Sequence, residues 1–165
     1  MNTDRIKKTV LLHATLEQAW HAISDAQQFG QWFGASFDQP FVAGKTLRAT
    51  IVPTTVDATV AALQAPHAGV TFDFLVDRIE PRQSIAFRWH PFAIDTAHDY
   101  STEPMTLIEF ALRAQADGVQ LTITESGFDQ LALARRAQAY AANAAGWAMQ
   151  TSLVAKYLAR QHSKQ

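Results

Sequence analysis

Glu125 is the residue whose type and position best suit it to chemistry. In the strand-like run Leu121 to Phe128 it shares a phase with Leu121 and Ile123, so the alternation that turns those two inward turns the carboxylate inward as well. A carboxylate withdrawn from water is costly unless hydrogen bonds meet it, and a desolvated one can serve as a general acid or base. The plainer alternative is that the strand ends or bulges at Glu125, returning the side chain to solvent or to a turn cap. Tyr140 and Asn143, on the helix that follows, could orient a polar group of a ligand beside it, although Asn143 could equally bond to the sheet. His90, Asp95, His98 and Asp99 have metal-ligating side chains, but their spacing matches no established metal motif. The phase that turns Trp89 inward sends His90 away from the interior, so this group reads as a solvated loop without a metal. His13 and His21 have no carboxylate in obvious register and read as surface or packing residues.

Aromatic rings accompany these polar groups. Phe72, Phe74, Phe87, Trp89, Phe110 and Ile123 fall on the inward phases of successive strands, while Trp32 and Trp147 lie on helices. Rings that bury roughly 150–250 Å² each make good walls for a flat or apolar ligand. They fill a core equally well at the same spacings, and both readings stay open for Trp32, Trp89, Tyr140 and Trp147.

The elements that must position these residues follow from pattern. Ile6 to Leu12 reads as a first strand. Thr15 and Gln18 form a capping box ahead of a helix from Leu16 to Ser24, and Asp25 caps a second short helix carrying Phe29, Trp32 and Phe33 and ended by Gly34. Short strands around Phe37, Phe41 and Leu47 to Val52 precede a stretch from Pro53 to Gly69 that reads as an insertion or lid, with a helical turn or two capped by Asp57. Consecutive antiparallel strands then form a meander, joined by Glu80-Pro81-Arg82-Gln83, by a polar loop from Pro91 to Pro104, and by the tight turn Asp117-Gly118. One long helix, capped by Asp129 and running to about Gln161, closes the chain. Within it Gly146 costs about 1 kcal/mol relative to alanine, so it is expected to serve close packing.

The composition narrows the function. The chain has 165 residues, 48% of them hydrophobic, which suits a single domain with one substantial core. A net charge of -1 disfavours polyanions, so no nucleic acid partner is expected. With no cysteine there is no disulfide, thiolate-held zinc, cysteine-ligated iron–sulfur cluster or cysteine nucleophile, and no flavin or nicotinamide motif is present; no cofactor is expected. Met1 to Lys8 lacks an apolar signal, and no run approaches the roughly 20 apolar residues that cross a bilayer, so a cytoplasmic protein without a membrane role is expected.

The order strand, two helices, antiparallel strands and long terminal helix resembles the α+β helix-grip fold of the START and Bet v 1-like superfamily. More closely, the chain resembles bacterial relatives of the heat-shock-protein-90 ATPase activator homologue family. The resemblance rests on Thr15 to Trp20, Trp32-Phe33-Gly34, Arg78 to Pro81 leading to Phe87 through Pro91, Thr124 to Phe128, and Gly146-Trp147. It implies a curved sheet wrapped around the terminal helix, a cavity between them, and no universal catalytic residues. The stretch from Pro53 to Gly69 is longer than the family's usual hairpin. The leading expectation is a binder of a small hydrophobic or aromatic molecule. The alternatives are a cyclase, isomerase or hydratase using Glu125, or a co-chaperone-like interaction module. A homodimer is compatible with this reading, and the resemblance establishes no chaperone partner.

Overall fold

The computed structural model describes residues 5–93 and 97–163, with side chains described through residue 161. Strand β1 (Arg5–Leu12) is followed by α1 (Leu16–Ser24) and α2 (Ala26–Phe33). Thr15 and Gln18 form the expected reciprocal capping box, at 3.1 and 2.9 Å, and Asp25 caps α2 by accepting from the Gln28 amide. Gly34 ends α2 in the left-handed region, with φ 96°, where a Cβ would also strike the Gln64 side chain at 2.5 Å. Strands β2 (Ala35–Phe37) and β3 (Thr46–Ile51) come next.

The stretch 53–69 contains α3 (Ala58–Gln64), capped as expected by Asp57, and a tighter turn at Ala65–His67. Strands β4 (Thr71–Glu80), β5 (Ser84–Trp89), β6 (Thr106–Gln115) and β7 (Gly118–Ser126) complete the sheet. Its order is β1-β7-β6-β5-β4-β3-β2, with every neighbouring pair antiparallel. Helix α4 (Leu133–Ser163) lies across the sheet, giving the α+β helix-grip architecture.

Two expectations about the last third of the chain are corrected. The helix begins at Leu133, and Asp129 sits in a separate short turn, Phe128–Gln130, rather than at a helix cap. Gly127 takes φ 101° and breaks the chain direction after β7, and the Arg136 guanidinium then donates to the carbonyls of Asp129 and Leu131. Nor does Gly146 serve close packing, because a Cβ built there would meet no atom within 4 Å.

The core lies between sheet and helices and is dominated by rings. Phe29 is its centre, with ring centroids 4.7 Å from Trp32, 5.5 Å from Phe87 and 5.6 Å from Phe110. From α4, Trp147, Leu153, Val154 and Leu158 are buried against it. Among the described residues, no helix is long and apolar enough to cross a membrane.

Candidate functional site

Strand alternation turns Leu121, Ile123 and Glu125 to the core as expected, and Glu125 is fully buried. It is also fully satisfied. Oε1 accepts from the indole Nε1 of Trp147 at 2.7 Å and from Nδ2 of Asn143 at 2.9 Å. Oε2 accepts from the indole Nε1 of Trp89 at 2.7 Å and from the Thr106 hydroxyl at 2.5 Å, with Asn143 Nδ2 again within 3.2 Å. The indole and amide groups can only donate here, so the arrangement complements a carboxylate.

These donors come from different elements. Trp89 ends β5, Thr106 begins β6 and pairs with Trp89 across the ladder, and Glu125 lies near the end of β7. Asn143 and Trp147 stand one turn apart on α4, four residues having carried the chain back to the same face. The carboxylate therefore ties the helix to three adjacent strands. The rings it positions stack on one another: the Trp89 and Trp147 centroids are 5.7 Å apart at 31°, and Phe33 lies 6.0 Å from Trp89 and 6.1 Å from Trp147.

Beside these rings is a cleft of about 290 Å³. Phe33 and Gly34 at the end of α2, Ile51 of β3, and Leu63, Gln64 and His67 of the stretch 53–69 form one side. Phe72, Trp89, His90, Phe92 and Ala93 form a second, and Asn143, Met149 and Gln150 of α4 close it. A smaller space of about 80 Å³, sharing Phe33, Trp89, Asn143 and Gln150, reaches to Gly146 and Trp147. Two larger grooves, of about 600 and 660 Å³, are bounded by more polar sets that include Asp25, Gln27 and Asp38 in one and Arg48, Asp73 and Asp99 in the other, and the second adjoins the cleft through Phe72, His90 and Ala93.

Of the residues expected around the site, Phe72, Trp89, Asn143 and Trp147 border these spaces. Trp32, Phe74, Phe87, Phe110 and Ile123 are buried in the core and border neither, and Trp32 donates its indole N–H to the Ala22 carbonyl at 2.9 Å. Tyr140 lies toward β1, its hydroxyl donating to the Arg5 carbonyl at 3.0 Å and its ring against Phe128. Glu125 sits behind the ring wall and is not among the bordering residues.

His90 corrects the strand-phase expectation, because it lines the cleft and its Nδ1 is buried with no hydrogen-bond partner. The β5–β6 ladder ends at Trp89, so the two-residue alternation no longer governs the next side chain. Asp95 lies outside the described residues, and among those described no cluster could hold a metal.

The loop after β5 is held from α4 by Arg135. Its guanidinium donates to the carbonyls of Pro91 at 2.7 Å and Phe92 at 3.3 Å and to Glu103 at 2.7 Å, and it lies 4.8 Å from the centre of the Tyr100 ring. On the opposite side, Gln64 donates to the Phe33 carbonyl at 3.0 Å and accepts from the Thr54 amide at 2.8 Å. Farther along α4, Arg160 donates to the carbonyls of Thr55 and Val56, and Lys156 pairs with Asp57. Gln150 is a polar cleft residue that the sequence reading missed, as are Gln64 and His67. Gln150 continues the face of Asn143, Gly146 and Trp147 at the next helical interval, and that spacing was the available signal.

A long terminal helix laid across a seven-stranded antiparallel sheet makes this a helix-grip protein. Residues 13–159 match the model of the family described as activator of Hsp90 ATPase homolog 1-like protein, and the chain belongs to that family. Among solved structures it is similar to DynU16, a protein of the dynemicin biosynthetic locus, at 24% identity and TM-score 0.64 over 94% of this chain. It spans only 47% of DynU16. Protein MLL2253 from Mesorhizobium loti is 18% identical with TM-score 0.68, over 94% of this chain and 97% of that one. A protein from Arthrobacter aurescens is 14% identical with TM-score 0.73, over 97% and 90%. At these identities the likeness is one of fold. No curated protein matches the sequence.

Two predictions follow from the site. Replacing Glu125 with Leu strands both indole donors and the Asn143 amide, and should lower stability to urea by about 3–5 kcal/mol. Glu125→Gln keeps one acceptor oxygen and should lose about 1–3 kcal/mol; a loss below about 1 kcal/mol in the Leu variant would show that the carboxylate does not tie helix to sheet.

Burial lowers the His90 pKa from its usual 6.5, and Arg135 adds to this against the opposing pull of Asp73, Glu103 and Asp99. The unfolded chain therefore binds more protons than the folded one just below pH 6.5, so this contribution to stability is complete above 6.5 and lost as pH falls toward the lower folded value. Urea midpoints from pH 5 to 7.5 should fall more steeply on acidification in the wild type than in His90→Gln, and parallel curves would contradict this.

Proposed function

We propose that the chain binds a small apolar or aromatic molecule in the cleft between sheet and α4. The observation that carries this reading is a ring-walled cleft of about 290 Å³ that shares Phe33, Trp89, Asn143 and Gln150 with the smaller space beside Gly146. That volume is near the lower end of the roughly 300–1,000 Å³ usual for ligand sites, and mostly apolar walls with a few polar groups are the usual composition. Gly146 supports the same reading, since a helix interior keeps glycine at a cost of about 1 kcal/mol, and here the missing side chain leaves room.

The stretch 53–69 serves as a lid in this reading, since Leu63, Gln64 and His67 border the cleft. Glu125 acts by fixing the positions of Trp89, Asn143 and Trp147 rather than by meeting the ligand, because its oxygens are already occupied by donors from the protein. The similarity to a protein of a biosynthetic locus is consistent with a small-molecule role.

A thermal-shift screen of aromatic, lipid and polyketide-like compounds tests the reading. A compound at about 100 times its Kd should add about 2.7 kcal/mol to stability, which raises Tm by several degrees in a chain of this size. Gly146→Leu should fill the smaller space, remove the ligand-induced shift and leave the unliganded Tm equal or higher. A panel without any shift, or a shift unchanged by Gly146→Leu, would contradict the proposal.

A further inference from the structure

The stretch 53–69 is anchored unevenly. Its first part is tied down: Val56 and Val60 are buried, Arg160 donates to the carbonyls of Thr55 and Val56, and Lys156 pairs with Asp57. From Ala61 to Val70 no residue is buried, and Leu63 is 60% exposed. Helix α3 has seven residues, well short of the roughly 12–15 at which an isolated helix becomes even marginal in water, so its last turn depends on contacts outside itself. Among the described residues, the hydrogen bonds that tie 61–68 to anything beyond α3 and the turn after it are the two of the Gln64 amide, which donates to the Phe33 carbonyl and accepts from the Thr54 N–H. Gly34 makes room for that amide, since a Cβ there would stand 2.5 Å from it. At the far end Gly69 takes φ 87° in open space, and the chain rejoins the sheet through Ile51, whose carbonyl accepts from the Gly69 amide at 2.9 Å and whose amide donates to the Val70 carbonyl at 2.8 Å.

Resting on the binding reading above, we infer that residues 61–68 form a strap that unwinds locally and that an occupant of the cleft holds closed. The Gln64 amide is the pin that opposes unwinding when the cleft is empty. A segment with few buried side chains opens at a free energy far below that of global unfolding. Leu63, Gln64 and His67 border the cleft, so a ligand gains their contacts only while the strap is wound. A ligand that binds the wound state better shifts the equilibrium toward it. Occupancy of the cleft is thereby converted into order at the protein surface, confined between the buried Val60 and the turn at Gly69.

Hydrogen exchange of the full ¹⁵N-labelled chain at the amides of Leu63, Gln64 and Ala65 tests this, without ligand and with saturating naphthalene or N-phenyl-1-naphthylamine. In the free wild type these amides should exchange at least about a hundredfold faster than the slowest amides of β6 and β7. Gln64→Met keeps side-chain length and helix propensity but loses both bonds, and should speed exchange at these positions about tenfold further, with β6 and β7 unchanged. A bound probe should slow them at least about tenfold. Protection equal to that of β6 and β7 in the free wild type, or exchange unaffected by Gln64→Met, would overturn the inference. Binding of a probe, seen at the Trp89 and Trp147 indole resonances, without slowing at Leu63 to Ala65 would overturn it and leave the binding reading standing. Failure of both probes to bind would overturn both. The comparison of free and probe-bound wild type decides the matter even if Gln64→Met folds poorly.

Discussion

A carboxylate inside an aromatic core is stable only where donors from the protein replace the water it has lost. In this chain those donors belong to β5, β6 and α4, elements far apart in sequence, and they converge on Glu125 of β7. Hydrophobic burial alone would press α4 onto the sheet without specifying its rotation or its position along the strands, because packing of rings is weakly directional. Hydrogen bonds from two indoles, an amide and a hydroxyl are directional, and they fix that geometry. A slide of one helical turn would carry Asn143 and Trp147 away together and leave a buried charge unmet.

The cleft depends on the same constraint. Trp89 and Trp147 give their N–H edges to Glu125, which sets their orientation beside Phe33 and Phe72. Further anchors hold its other boundaries. Arg135 fixes the loop after β5, while Gln64, Gln150, Lys156 and Arg160 attach the end of α2 and the stretch 53–69 to their neighbours. The polar bonds thus lie mainly at the margins, and the walls of the cleft are mostly apolar and aromatic.

The sequence was most legible where one local rule governed a residue. Strand alternation placed Glu125 inward, and the capping patterns at Thr15, Asp25 and Asp57 located helix starts correctly. The misreadings arose where a local rule stopped applying or where the third dimension decided. Alternation failed at His90 because the ladder ends one residue earlier. Asp129 has a capping residue type, but the left-handed turn at Gly127 intervenes and delays the helix to Leu133. Gly146 has the same one-dimensional signature whether a glycine admits a neighbour or leaves a gap, and only the fold distinguishes them. The same limit applies to the rings: Phe74, Phe87 and Phe110 share the inward phase of Phe72 and Trp89, but lie deeper under α2 and α4.

Hydrogen exchange at the indole Nε1–H groups of Trp89 and Trp147 tests the central claim most directly, since both protons point at Glu125. If the carboxylate locks helix to sheet, both should exchange only through global unfolding, with protection equal to that of the slowest backbone amides of β6 and β7. Exchange of either indole near the rate of free tryptophan, while those amides stay protected, would contradict it.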